Sequence, residues 1–308
     1  MIVTLTPNPS IDRTIAVDRL EVGGVNRAHS VLVDPGGKGV NVSRALAANG
    51  VPTTAILPLG GPDGDLHSSL LDAGGLSHVA VGIGGNTRTN VAIVDPRGGT
   101  TKVNEPGPEL SDVEVAALRA AVPRDAEWVV LCGSLPRGTD ASLFTDLVAT
   151  HPGQVVVDTS GAPLAAAVAA TPYLVKPNRE ELEELVGRRL ATLGDVRQAC
   201  RELVAGGISV VVASLGADGA LLTTADGAWL AKAPVANPLS TVGAGDCLLA
   251  GVLSALAEDL PASEALARGV AWGSAAVSLP GSQVPGPGDV ARIGVVELEI
   301  DDALVLAD

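Results

Sequence analysis

From Leu110 onward, short segments rich in Val, Ile and Leu alternate with helical segments, and this alternation limits the possible folds more than any other feature. The segments 128–132, 155–158 and 210–214 are apolar along almost their whole length, without a polar residue at every second position. Strands of this kind are buried on both faces, as in a parallel sheet that carries helices on each side. The sequence therefore predicts an α/β fold with a doubly covered, mostly parallel sheet.

Two stretches in the first third of the chain interrupt this alternation. Residues 13–34 and 87–104 have hairpin-like patterns that are too polar on one side for central strands of such a sheet. Arg88, Asn90 and Lys102 lie on the second stretch, where a solvated hairpin would carry them as ordinary surface residues. We expect both stretches to form a small β lid inserted in a single domain, 1–308, with these side chains facing a site below.

The composition narrows the possible partners and compartments. A net charge of −15 argues against binding to nucleic acid or to an anionic membrane. The longest uncharged stretch is broken by proline and glycine, and the first residues lack the basic segment of a signal peptide. Three widely spaced cysteines suggest neither a zinc site nor a disulfide framework. We expect a cytoplasmic protein that does not enter the membrane.

The segment 240–246, Ser-Thr-Val-Gly-Ala-Gly-Asp, leads directly into an apolar helix. Unpaired N–H groups at the start of a helix suit phosphate oxygens, and glycines let the backbone approach them. Asp246 repels phosphate, so a functional role for it requires that it accepts a proton. The alternative is that Asp246 is only a helix cap or first-turn acid.

A second glycine loop, 35–39, also precedes a predicted helix and contains one of only four lysines, Lys38. It is either a structural turn or a loop that binds an anion or hydroxyl groups. Asp12 follows the first predicted strand, where the strand would open into a ligand crevice.

Three further loops follow predicted strands. Ser134 lies in the first of these loops. It either contacts the substrate or only forms part of a turn. Asn178 and Glu181 have the spacing of a capping box, and the same oxygens could hold a hydrated Mg²⁺. The turn that runs from Ser214 to Gly219 indicates little by itself.

Several common sites are excluded, because the sequence has no P-loop motif, no complete dinucleotide fingerprint and no Gly-x-Ser-x-Gly elbow. Its four histidines have no ligand spacing. The features that remain to be explained are the glycine-rich loops, one basic loop, the predicted lid and one acid beside a predicted anion site. This combination suits phosphoryl transfer from a nucleotide to a hydroxyl group.

The motifs then show a family resemblance. The segment 241–246 resembles the second signature of the ribokinase-like (PfkB) sugar kinases, 36–45 resembles their first, and 175–181 resembles their Asn-x-x-Glu motif. Segments 6–12, 26–28 and 101–107 are similar to the phosphosugar branch, which phosphorylates fructose 1-phosphate with ATP. Fructose 6-phosphate and tagatose 6-phosphate remain alternative substrates, and a catalytically silent sugar-phosphate sensor remains an alternative of another class.

The resemblance also implies roles for individual residues. Asp246 would be the base, with Gly243, Ala244 and Gly245 as the anion hole. The implied substrate-binding residues are Asp12, Arg27, Gly37, Lys38, Asn41, Arg88, Asn90, Lys102 and Ser134, of which Lys38, Arg88, Lys102 and Arg27 would hold the sugar phosphate. The implied ATP-binding residues are Lys176, Asn178, Ser214, Gly216, Ala217, Asp218, Gly219, Ser274 and Val277. Mg²⁺ would be held through water by Asn178 and Glu181, and the lid would pair two copies into a homodimer.

Overall fold

The computed structural model describes residues 1–97, 99–236 and 238–307, so Gly98 of the predicted lid stretch, Asn237 and Asp308 lie outside the described residues. The strands are β1 (Ile2–Leu5), β2 (Ser10–Val17), β3 (Ala28–Gly36), β4 (Thr53–Leu59), β5 (His78–Gly82), β6 (Arg88–Asp95), β7 (Gly99–Asn104), β8 (Trp128–Cys132), β9 (Gln154–Asp158), β10 (Leu174–Val175), β11 (Val210–Ser214), β12 (Ala220–Thr224), β13 (Gly227–Lys232) and β14 (Val296–Leu298). The helices are α1 (Lys38–Ala48), α2 (Gly61–Ala73), α3 (Asp112–Ala120), α4 (Ser142–Thr150), α5 (Gly161–Ala169), α6 (Arg179–Val186), α7 (Leu193–Ala205), α8 (Ala244–Leu256), α9 (Ala262–Val277) and α10 (Pro287–Val290).

Ten strands form one sheet in the order β14-β13-β12-β11-β10-β9-β8-β1-β4-β5. The pairs from β11 through to β5 are parallel, and β12, β13 and β14 add an antiparallel edge. The prediction of a mostly parallel sheet is therefore confirmed.

Both faces of this sheet are covered. Alternate strand residues such as Val129 and Leu131 enter one hydrophobic core with α3 to α7, whereas Val130 and Cys132 enter another with α1, α8 and α9. This alternation explains why the strands are apolar on successive residues. It also leaves the loops at the carboxyl ends of the strands as the open edge, where ligands of such sheets bind.

The remaining four strands form a separate sheet in the order β3-β2-β6-β7. β2 pairs antiparallel with β3 and parallel with β6, and β6 pairs antiparallel with β7. The sheet begins at Ser10, three residues before the predicted stretch. Asp12, expected at the mouth of a core strand, lies instead within β2, opposite Asn90 of β6.

The pairing register gives the two faces of the four-stranded sheet different chemistry. Asp12, Asn90 and Lys102 share one face, because Asp12 pairs with Asn90, Thr14 with Ala92, and Ala92 with Lys102. The opposite face is mainly apolar, and its residues are Arg13, Ile15, Val31, Val33, Val91, Ile93, Thr101 and Val103.

Within the described ranges, no helix combines the length and the apolar character that crossing a bilayer requires.

Candidate active site

The glycine loop leads into α8 at the open edge of the large sheet. Gly243 has φ of 77°, in the left-handed region that favours glycine, and α8 begins at the next residue. A Cβ atom added to Gly245 would lie 3.4 Å from Lys176 Nζ, so the amino group of Lys176 lies beside the first turn of the helix. The N–H groups of the first helical turn, the positive end of the helix dipole and a lysine together favour an anion here.

Asp246 lies in the first turn of α8 and is 7% exposed. Its Oδ2 atom accepts a hydrogen bond of 2.9 Å from Asn41 Nδ2 on α1. Burial, together with the negative charge of Asp158, raises the pKa of Asp246 to about 6, against the opposing effect of Lys38 and Asn41. A carboxylate with this pKa is ionised at neutral pH and able to accept a proton. Asn41, which the sequence assigned to a sugar hydroxyl, contacts the candidate base.

A buried carboxylate that the sequence did not single out lies next to this group. Asp158 ends β9, is fully buried, and accepts a 2.7 Å hydrogen bond from Lys38 Nζ on its Oδ1 atom. Its Oδ2 atom lies 3.4 Å from Lys176 Nζ. Burial opposes ionisation, but the two lysines outweigh it and lower the pKa of Asp158. Asp158 therefore holds two amino groups from different elements close to Asp246.

Lys38 has a different environment from the one expected. Its Nζ atom also lies 3.7 Å from Glu181 Oε1, so its described ion pairs are with Asp158 and Glu181. Burial would lower the pKa of Lys38, but Asp158, Glu181 and Asp246 outweigh this effect and raise it. The amino group is thus directed toward the Asn-x-x-Glu motif, whereas the sequence had placed it with the cations of the four-stranded sheet.

Asn178 and Glu181 form the capping box. Asn178 Oδ1 accepts from Glu181 N at 2.7 Å, and Glu181 Oε2 accepts from Asn178 N at 2.9 Å. Glu181 Oε1 is outside this pair of bonds and faces Lys38. In the described part of the chain, no group of three or more His, Cys, Asp or Glu side chains could hold a metal ion. A magnesium ion that keeps its waters and binds phosphates still fits this arrangement, because it needs only one or two protein oxygens.

Asp12 on β2 and Asn90 on β6, both predicted to bind the sugar, lie next to each other. Asp12 Oδ1 accepts from Ser10 Oγ at 2.7 Å and from Asn90 Nδ2 at 3.2 Å. Burial raises the pKa of Asp12, and the hydrogen bonds from Ser10 and Asn90 and the charge of Arg88 oppose it. A Cβ atom at Gly36 would lie 2.3 Å from the Asp12 carboxylate, so only glycine permits this packing.

Two further cations were assigned to the sugar phosphate, Lys102 on β7 and Arg27 in the loop before β3. Lys102 lines a cavity of about 410 Å³ between this sheet and residues 238–242, directly before the glycine loop. Arg27 is exposed on the loop before β3, and the register that groups Asp12 with Lys102 does not include it.

Two polar residues that the sequence did not assign support these loops. Asn8 Nδ2 donates to Ser134 Oγ at 3.3 Å and to Pro106 O at 3.1 Å, which joins the loop after β8 to the loop after β7. Arg44 Nη1 donates to Asn41 Oδ1 at 3.4 Å and to Ser282 O at 3.2 Å. Arg44 thus orients the amide that donates to Asp246. Asn8 lies in segment 6–12 and Arg44 in segment 36–45, both of which carry the family resemblance. That location was the signal by which the sequence could have identified them.

The nucleotide-side candidates lie along the same edge. Ser214 N donates to Pro177 O at 3.0 Å, next to Asn178, and a 3-10 turn, Gly216–Asp218, follows. Gly216 and Ala217 are exposed, but the Asp218 carboxylate accepts from Ala307 N at 2.8 Å and lies 3.7 Å from Lys232 Nζ. Both oxygens of the Asp218 carboxylate therefore contact other residues of the protein, Ala307 and Lys232.

Ser274 and Val277 lie in the last turns of α9. Val277 O accepts from Leu239 N at 2.8 Å and from Ser240 N at 3.2 Å. The end of α9 thus supports the segment that leads into Gly243.

The comparisons with known proteins agree with this architecture. Residues 5–288 match the pfkB family of carbohydrate kinases. A 1-phosphofructokinase from Rhodobacter capsulatus is 38% identical over 302 residues, which cover 95% of each chain. Phosphofructokinase-2 from Escherichia coli, solved in complex with substrates and products, is 35% identical with a TM-score of 0.90, and the match covers 94% of this chain and 97% of that one. The same protein has been solved with fructose-6-phosphate and in a tetrameric inhibited form.

A ribokinase from Thermotoga maritima shares the fold, with a TM-score of 0.76 at 20% identity over 95% of this chain and 98% of that one. The fold is therefore ribokinase-like, as the sequence predicted. The chain belongs to the pfkB family of carbohydrate kinases, and is a sugar phosphotransferase.

Proposed function

We propose that this protein transfers the γ-phosphoryl group of ATP to fructose 1-phosphate and so produces fructose 1,6-bisphosphate and ADP. The observation that carries the proposal is the burial of Asp246 in the first turn of α8, directly after Gly243–Gly245, in a chain 38% identical to a 1-phosphofructokinase. An anion site with a proton acceptor at its mouth is what phosphoryl transfer to a hydroxyl group requires.

Asp246 serves as the base in this proposal. The sugar hydroxyl oxygen attacks the γ-phosphorus, its proton passes to the Asp246 carboxylate, and the bond to the ADP oxygen breaks. N–H groups at Gly243, Ala244 and Gly245 receive the charge that builds on the transferred group. Asn41 holds the carboxylate oriented and ionised.

We assign Lys38 and Lys176 to the transferred phosphoryl group, not to the phosphate already on the sugar. This assignment changes the one that the sequence suggested for Lys38, and the contacts of Lys38 with Asp158 and Glu181 support it. Two lysines near the transferred group lower the energy of its developing negative charge. Asp158 keeps both lysines in position.

The sugar phosphate lies under the four-stranded sheet in this proposal. Asp12 and Asn90, with Gly37 and Ser134, bind hydroxyl groups of the sugar. Arg88 and Lys102 bind its phosphate, since Lys102 lines the cavity between this sheet and the segment before α8. Arg27 joins them only after a movement of its exposed loop. We propose that the sheet acts as a lid on a single domain.

ATP occupies the edge formed by Asn178, the turn 214–219 and the end of α9. Glu181 Oε1 and Asn178 would hold Mg²⁺ through water, and the ion would neutralise charge on the phosphates of the bound nucleotide. The three cysteines are free and buried, which favours a reducing cytoplasm as the site of the reaction.

We further propose that two copies pair through the apolar face of the four-stranded sheet. Val31 and Val103 on this face are 51% and 58% exposed in the single chain. The opposite face carries the polar residues of the site, so the apolar face is the one available for pairing.

Turnover on a substrate panel tests the assignment. Purified protein with Mg-ATP is assayed against fructose 1-phosphate, fructose 6-phosphate, tagatose 6-phosphate and unphosphorylated fructose. The highest kcat/KM is expected for fructose 1-phosphate. Preference for fructose itself would contradict a phosphosugar kinase, and binding of fructose 1-phosphate without turnover would instead indicate a sensor.

Fructose 6-phosphate is the second candidate substrate. It is favoured by the similarity to the Escherichia coli phosphofructokinase-2 solved with fructose-6-phosphate, at 33% identity and a TM-score of 0.88 over 94% of this chain and 97% of that one. A higher kcat/KM for fructose 6-phosphate than for fructose 1-phosphate would select this alternative.

A further inference from the structure

Residues 299–307, here called the strap, leave the edge of the large sheet after β14 and cross the beginning of α7. Leu193 N donates to Leu304 O at 2.9 Å, and Leu306 N donates to Ala191 O at 3.1 Å. The side chain of Leu306 is 5% exposed and packs in the core on that face. The strap is therefore docked by backbone hydrogen bonds and by one apolar anchor.

The last described residue of the strap lies between two elements of the proposed nucleotide site. Ala307 N donates to Asp218 Oδ2 at 2.8 Å, and Ala307 O accepts from Arg179 Nη1 at 2.8 Å. Arg179 follows the capping residue Asn178 at the start of α6, and Asp218 closes the 3-10 turn before Gly219. One backbone residue thus joins the start of α6 to this turn.

Both of these hydrogen bonds involve a charged side chain, and such bonds are shorter and stronger than those between neutral groups. Lys232 Nζ lies 3.7 Å from Asp218 Oδ1 and holds the second oxygen of that carboxylate. The strap thus contacts both Arg179 and Asp218, and β13 contacts Asp218 through Lys232.

We propose that the strap is a positioning element of the nucleotide site. Ala307 fixes the spacing between the start of α6 and the 216–219 turn, and so sets the affinity for the nucleotide. The inference rests on the proposed nucleotide-binding role of these two elements. Asp246 and the residues on the sugar side are held by other elements, so the chemical step and sugar affinity do not depend on the strap.

The substitution Ala307→Pro tests this inference, because proline has no N–H group to donate to Asp218. We expect the KM for Mg-ATP to rise about tenfold or more, the effect of one lost hydrogen bond to a charged group. The kcat and the KM for fructose 1-phosphate should stay within about twofold of the unsubstituted protein. Calorimetric titration with ADP, without sugar, should show the same loss of affinity.

The control is Arg197→Met, which breaks the ion pair between Arg197 and Asp302 at the other part of the strap. This variant should leave ADP affinity unchanged. A lower thermal midpoint of Ala307→Pro with unchanged ADP affinity would overturn the proposal, since the strap would then only stabilise the fold. Equal increases in both KM values would also overturn it, because they would indicate a general disturbance.

A second variant keeps the test decisive if Ala307→Pro folds poorly. Arg179→Met removes the hydrogen bond from Arg179 Nη1 to Ala307 O. Its effect on ADP affinity should be smaller when Ala307→Pro is already present. Additive effects would contradict a shared positioning role.

An unsubstituted protein that binds ADP but does not phosphorylate fructose 1-phosphate refutes the proposed function alone, and one that does not bind ADP refutes both.

Discussion

Asn41 donates its side-chain amide to Asp246, with 2.9 Å between Nδ2 and Oδ2. The hydrogen bond joins the helix after one glycine loop to the helix after the other, although the two residues are 205 positions apart. It favours the ionised form of Asp246 and partly offsets the burial that raises its pKa to about 6. Helix α1 therefore contributes, with burial and the charge of Asp158, to the protonation state of the candidate base.

Replacing Asn41 by Ala should move the acid limb of the pH profile of kcat to higher pH. The base must be ionised, so kcat rises through the pKa of Asp246, and loss of the donor raises that pKa. A shift of about 0.5–1 pH unit is expected from one hydrogen bond. The matched control is Asn49→Ala at the C-cap of the same helix, since the Asn49 amide donates to Ala45 O and Pro285 O. An acid limb that is the same in both variants would contradict the assignment.

Replacing Asp246 by Asn should lower kcat by about 10²–10⁴-fold, the usual effect of losing a general base, and leave ADP affinity unchanged. Near-normal turnover would mean that another group takes the proton.

The same variant should be more stable than the unsubstituted protein at neutral pH. The pKa of Asp246 rises from 3.8 to about 6 on folding, so stability is lost as pH increases through this window. Asn carries no such cost, and the gain at pH 7.5 should be about 1–3 kcal/mol, falling toward zero near pH 4. Urea unfolding at both pH values measures it, and an equal gain at both would contradict burial of an ionised carboxylate.

The sequence predicted the architecture and the glycine turns that precede α1 and α8, because both depend on local patterns. Apolar strands of five residues, such as Trp128–Cys132, and glycine turns before helices can be recognised without knowing the contacts of the chain. The strands β5 and β14 and the helix α10 were not predicted, because short edge elements carry little pattern.

Which charges meet across the fold could not be predicted. Asp158 ends an ordinary buried strand, and only the sheet order places it between Lys38 of α1 and Lys176 after β10. For the same reason the sequence did not indicate that Lys38 pairs with Asp158 or that Asn41 donates to Asp246. Pairings over more than 100 residues depend on topology, whereas motif spacing reports only local structure.

Replacing Asp158 by Asn should shift the acid limb in the direction opposite to Asn41→Ala. The negative charge of Asp158 raises the pKa of Asp246, so its removal lowers that pKa and extends activity to lower pH. The variant should also lose about 2–4 kcal/mol of stability, since the almost fully buried Lys176 loses its ion pair with Asp158, whereas the partly exposed Lys38 keeps Glu181. The control is Asp146→Asn, which breaks the surface ion pair with Arg119 and should cost less than about 1 kcal/mol. Similar losses in the two variants would contradict a central role for Asp158.

Replacing Lys38 and Lys102 separately by Met should distinguish the two anion sites. Lys38→Met should lower kcat by about 10²-fold or more, because a cation at the transferred group is lost. Lys102→Met should raise the KM for fructose 1-phosphate by about tenfold with little change in kcat, as expected for a lost ionic contact with the substrate. Steady-state kinetics measures both. If Lys38→Met changes only the KM for the sugar phosphate, the original sequence assignment of Lys38 is right and the revised one is wrong.

Replacing Val31 and Val103 together by Asp should separate the proposed dimer into monomers. The two side chains lie on the apolar face of the four-stranded sheet and are about half exposed in the single chain. Burying two carboxylates without partners would cost several kcal/mol, more than a small interface can offset. Light scattering after size exclusion should give twice 30.7 kDa for the unsubstituted protein and 30.7 kDa for the variant. Val113→Asp on α3, at a position 78% exposed, is the control and should remain a dimer. A dimer that survives both substitutions on the sheet, or a monomeric unsubstituted protein, would exclude pairing through this face.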